Sequence, residues 1–117
     1  MMRAFLFGAA ITVAACASTP RPEARIISSE AALRGAQEAG AGSVPAATLH
    51  LKLAQEERAI AMNQLKDGHN HRASLMLARA EADAEVAIAL TRAQSAKVQA
   101  VKAQESVDEL KQKEVTP

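Results

Sequence analysis

Few side chains in this sequence have the types and spacing that chemistry needs. His69 and His71 flank Asn70 close behind Asp67, residue types that hold transition metals. Residues two apart point away from each other on a helix, however, and no cysteine is free to complete a set, so the cluster reads as a solvated turn. His50 stands between Leu49 and Leu51, and Glu56 and Glu57 follow only six and seven positions later, which describes a partly exposed helical histidine. Glu81, Asp83 and Glu85 place three acids within five residues, the material of acid–base catalysis. Steps of about 100° per residue spread them around the outer face of a helix, where with Arg79 as a neighbour they serve solubility.

No nucleophile–base–orienter set, Walker loop, HExxH or paired-cysteine motif occurs, so the sequence implies a protein that is not an enzyme and that holds no cofactor and no metal. The one cysteine, Cys16, has no internal partner for a disulfide, and its meaning comes from its position. Before it stand a short positive start, Met1-Met2-Arg3, and a largely apolar run from Ala4 to Val13 that is too short to span a bilayer, the pattern of a secretory signal. The run ends Val13-Ala14-Ala15-Cys16, which resembles the lipobox of bacterial lipoproteins: an aliphatic residue, two small residues, then cysteine.

That resemblance implies a chemical role for each position. The Cys16 thiol is joined by a thioether to diacylglycerol, a membrane peptidase that accepts small Ala14 and Ala15 cuts the Ala15–Cys16 bond, and the freed α-amino group is acylated. Each buried methylene contributes about 0.8 kcal/mol, so two or more acyl chains make dissociation negligible where one would be marginal. The competing reading is ordinary secretion, with Ala15-Cys16-Ala17 as an A-x-A cleavage site that releases a soluble periplasmic protein beginning at Ser18.

Composition narrows the function classes further. The chain has 117 residues, room for one domain, and its 49% hydrophobic content is largely alanine, which adds little buried area but lets helices approach closely. Its only aromatic residues, Phe5 and Phe7, lie in the signal segment. The rest of the chain has no ring with which to stack a sugar or a base or to line a pocket, so no small-molecule substrate is expected. Without Arg3 the 14 basic residues become 13, against 13 acidic ones spread without runs, and a nucleic-acid partner has no electrostatic support.

The elements that must carry these residues are helical. Residues 1–15 form the signal peptide, and residues 16–22, with Pro20 and Pro22, form the acylated cysteine and a flexible tether. Over Glu23 to Ala39 the residues Ala24, Ile27, Ala31, Ala32, Ala36 and Ala39 mark one helical face. Gly40-Ala41-Gly42-Ser43-Val44-Pro45 breaks the pattern, two glycines favouring a left-handed stop and the proline fitting the first turn of the next helix. From Ala46 to Lys66 a broad stripe is set by Leu49, Leu53, Ile60 and Ala61, widened by Leu51, Met62 and Leu65. Asp67-Gly68-His69-Asn70 is a second turn, with glycine at a C-terminal cap and Asn70 as a candidate N-cap.

The last segment, from about His71 to Glu114, contains neither proline nor glycine. Its packing face is set by Leu75, Met76, Leu77, Ala80, Ala84, Ala87 and Ile88. After about Ser95 the apolar residues thin to Val98, Val101, Val107 and Leu110, predicting an exposed helix or a short coiled coil. The expected fold is all-α: an alanine-rich antiparallel helical hairpin or three-helix bundle over residues 23–95, with a partly exposed helical extension and tail over residues 96–117.

The stretch from Ala24 to Ala89 also resembles the small proteobacterial lipoproteins grouped as "domain of unknown function 4398", alanine-rich helical domains directly behind a lipobox. The residues that carry the likeness are Ala31-Ala32, Ala36, Ala39-Gly40-Ala41, and Val44-Pro45 where the family usually has Ala-Pro, then Leu49, Ala54, Leu65, Leu77-Ala78, Ala80, Asp83-Ala84 and Ala87. The resemblance implies a fold and a location more than an activity.

Two roles are open to such a chain: a structural or accessory protein of the envelope, or an adaptor that binds a specific envelope protein through a surface around Val98, Val101, Val107 and Leu110. The membrane partner is reached through the lipid anchor, and the oligomeric state is open. With Ala17 and then Ser18 after the cysteine, no aspartate is present to retain the protein in the inner membrane. For a Gram-negative source the expected site is the outer membrane, facing the periplasm. A tether from Ala17 to Pro22 would extend up to about 20 Å and lift the helices clear of the headgroups.

Overall fold

A computed structural model describes residues 19–115, which form three α-helices: α1 (Glu23–Glu38), α2 (Pro45–Lys66) and α3 (Asn70–Val115). Pro22 precedes α1 and Glu23 opens it, placing a negative charge where the helix dipole favours one. α1 stops at Gly40, whose φ of 86° is open to glycine and whose N–H donates to the Gln37 carbonyl at 3.0 Å. A single 3₁₀ turn, Ala41–Ser43, leads to Pro45 in the first turn of α2. The Thr48 hydroxyl lies 3.0–3.2 Å from the carbonyls of Val44, Ala41 and Gly42, its one proton shared among them, and so pins this turn to α2.

The second turn is a Schellman motif. Gly68 takes φ 76°, its N–H donates to Leu65, and the His69 N–H donates to Gln64 at 2.8 Å. α3 begins at Asn70 itself, so Asn70 is the first helical residue rather than the N-cap. Its side-chain amide is occupied elsewhere, donating to the Thr19 carbonyl at 2.7 Å.

α2 runs antiparallel to α3, and α1 lies parallel to α3 on the same seam, so the fold is the three-helix form of the expected architecture. Ser28 near the start of α1 bonds Glu81, and a Cβ at Gly35, further along, would lie 3.5 Å from Ile88. The core separates into two clusters. One joins Ala61 and Leu65 of α2 to Ala73 and Leu77 of α3, with Ile26 and Met62 at its edge. The other joins Leu33 and Ala36 to Ala47, Leu51 and Ala54 and to Ala84 and Ala87. Between them in sequence lie buried Ser29 and Glu57.

The buried faces differ from those read in the sequence. On α1 the buried residues are Ser29, Leu33 and Ala36, while Ala24, Ile27 and Ala31 face solvent. On α2 the seam is Ala47, Leu51, Ala54, Glu57, Ala61 and Leu65, and Leu49, Leu53 and Ile60 are exposed. On α3 it is Ala73, Leu77, Ala80, Ala84, Ala87 and Thr91, with Leu75 outside. The reason is continuity. The frame Leu49, Leu53, Ile60 runs into Glu56 and Asn63, whereas alanines at intervals of three and four let α2 and α3 approach closely along their whole shared length, with Leu51, Leu65 and Leu77 filling the gaps.

α3 has 46 residues and is therefore about 69 Å long. Thr91 is its last buried residue, donating its hydroxyl to the Ala87 carbonyl, and from Arg92 to Val115 every residue is exposed. Among the described residues no helix is long and apolar enough to cross a membrane.

Candidate functional site

Val13, Ala14, Ala15, Cys16, Ala17 and Ser18, the residues with the clearest sequence-level chemistry, lie outside the described residues. The described part of the chain begins at Thr19. The Asn70 amide donates to the Thr19 carbonyl at 2.7 Å, and Arg21 pairs with Glu23 at 2.7 Å. The α2–α3 turn and the incoming chain therefore share one end of the bundle, around a recess of about 380 Å³ lined by Thr19, Gly68, His69, Asn70, His71 and Arg72. His69 and His71 are exposed there, and no group of three or more His, Cys, Asp and Glu among the described residues is placed to hold a metal ion.

The acids of α3 are not merely a solvated face, contrary to expectation. Glu81 accepts hydrogen bonds from Ser28 Oγ at 2.9 Å and Arg25 Nη1 at 3.3 Å, tying α3 to α1. Asp83 Oδ1 lies 2.7 Å from His50 Nδ1, tying α3 to α2 by a hydrogen bond that becomes an ion pair when the imidazole is protonated. Arg79 pairs with Glu57 Oε1 at 3.1 Å. Only Glu85 meets the expectation of an exposed charge.

Glu57 is the most unusual of these groups. It is 8% exposed, and its second carboxylate oxygen is buried without a partner. Burial pushes its pKa above the usual carboxylate value of 4.5. The charge of Asp83 and a hydrogen bond with it push the same way, and the Arg79 guanidinium opposes them. Sequence reasoning missed these contacts because the partners are 33 and 53 residues apart. The available signal was the frame Ala47, Leu51, Ala54, which places His50 and Glu57 beside the seam.

The expected partner surface is not one patch. At about 100° per residue, Val98 and Val101 continue the line of Ala84, Ala87 and Thr91, whereas Val107 and Leu110 lie on nearly the opposite side of α3. All four are exposed.

No family model, curated protein or solved structure matches the chain.

Proposed function

We propose that this chain is a lipid-anchored envelope lipoprotein, acylated at Cys16, whose helical bundle has a structural or accessory role and no catalytic one. The observation that carries the reading is the order of the first sixteen residues: positive start, short apolar run, and Val13-Ala14-Ala15-Cys16. Thiol acylation followed by cleavage before Cys16 would put the lipid three positions ahead of Thr19, whose carbonyl accepts from the Asn70 amide at the α2–α3 end of the bundle. Ala17 and Ser18 carry no retention charge, which favours the outer membrane and a periplasm-facing domain. From a base at the membrane, α3 would carry its exposed end the greater part of its length away from the lipid.

An adaptor reading is favoured by one feature, the wholly exposed segment beyond Thr91, a helix that the bundle itself does not use. The lipoprotein assignment is tested by fractionating cells that express the wild type and Cys16→Ala. The wild type is expected in membranes after globomycin-sensitive cleavage, and the variant uncleaved or released. Equal membrane retention of a cleaved Cys16→Ala product would refute it.

A further inference from the structure

The exposed half of α3 carries an ordered apolar face that neither α1 nor α2 covers. Ala93, Ala96, Ala100, Ala103, Val107 and Leu110 alternate in steps of three and four, the spacing of a coiled-coil seam, and all are exposed. The same spacing runs back through exposed Ala89 and Val86, on the side of α3 opposite buried Ala84 and Ala87. A helix laid along this face would meet neither α1 nor α2.

Side-chain size and charge both identify the occupant. Residues 92–104 hold Arg92, Lys97 and Lys102 and no acid, a charge of +3. Residues 105–115 hold Glu105, Asp108, Glu109 and Glu114 with Lys111 and Lys113, a charge of 2 − 4 = −2. Two parallel copies would set +3 beside +3, whereas antiparallel copies set residues 105–115, at −2, beside residues 88–98 of the partner, which hold Arg92 and Lys97 and no acid. In one antiparallel register Ala93 faces the partner's Leu110, Ala96 faces the partner's Val107, and Ala100 faces the partner's Ala103. Every large residue then meets an alanine, so the helix axes stay evenly spaced over about 27 Å. In parallel register leucine would meet leucine and alanine would meet alanine, forcing the helices apart at one end.

We propose that residues 92–115 pair antiparallel with the same segment of a second copy of this chain, through the face that runs from Ala93 to Leu110. The two bundles then lie at opposite ends of the pair, with their bases about 95 Å apart. The pairing itself does not depend on the lipid anchor.

Mixing two full-length variants, Ala96→Cys and Val107→Cys, and treating them with a short bis-maleimide in mild detergent tests this, with the wild type as the control for Cys16. Both new cysteines are at exposed positions and leave the bundle intact. In the antiparallel register position 96 is beside position 107 of the partner but about 16 Å along the axis from position 96, so covalent dimers form in the mixture and not with either variant alone. Adding Leu110→Asp to both chains is expected to reduce the mixed dimer at least tenfold. Dimers of either variant by itself would show parallel pairing and overturn the proposal. So would a mixture that gives no dimer, or one that Leu110→Asp leaves unchanged.

Discussion

Asp83 and His50, 33 positions apart, meet at 2.7 Å across the α2–α3 seam beside buried Glu57, whose pKa the charge of Asp83 helps to raise. The pair closes one side of a polar layer that two alanine-lined helices would otherwise have no reason to contain. Glu57 within that layer gives the fold a pH dependence of defined sign. Its pKa is raised in the folded state, so between 4.5 and that higher value the folded chain holds more protons than the unfolded chain, and stability falls as pH rises through this window.

Glu57→Gln keeps the shape of the side chain and removes the titration. Thermal melts of both proteins from pH 4 to pH 8 are expected to show the variant gaining on the wild type as pH rises. A difference that shrinks with pH would mean that the Arg79 ion pair outweighs burial.

Leu77 is the largest side chain with no exposure, whereas Leu49 is 59% exposed on α2. Leu77→Ala is therefore expected to cost about 2–5 kcal/mol in urea unfolding, and Leu49→Ala within about 0.5 kcal/mol of zero. Similar losses at both positions would mean that the large aliphatic stripe, and not the alanine seam, faces the core.

Gly68 ends α2 with φ 76°, and a Cβ there would touch nothing within 4 Å. Gly68→Ala is thus a test of backbone conformation alone. A loss of about 1 kcal/mol is expected from the left-handed geometry, measurable by the same unfolding curves, and an unchanged midpoint would contradict the Schellman turn.

The helices were legible because their boundaries are written in local chemistry. Gly40, Pro45 and Gly68 act within a few residues, and the structure uses each as the sequence suggests. The choice of buried face was not local. Leu49 and Leu51 are about 200° apart on one helix, so burying one exposes the other, and only the alanines on α3 opposite decide between them. The same limit hid the polar layer: nothing near His50 in sequence announces Asp83, and nothing near Asn70 announces Thr19. The lipobox pattern, by contrast, is read entirely within four adjacent residues, Val13 to Cys16, which lie outside the described part of the fold.

The proposed outer-membrane sorting rests on Ala17 and Ser18, the two residues after Cys16. In density-gradient fractionation the wild type is expected with outer-membrane markers, and Ala17→Asp should move it toward the inner-membrane fraction. Recovery of the wild type with inner-membrane markers would contradict the role assigned to Ala17 and Ser18.

Metabolic labelling with a radioactive fatty acid tests acylation of Cys16 most directly. The wild-type chain should take up label and, with globomycin present, accumulate as a labelled precursor that retains residues 1–15, while Cys16→Ala takes up none. A wild-type chain that is cleaved but unlabelled, or a Cys16→Ala chain that is still labelled, would contradict the lipid-anchor account.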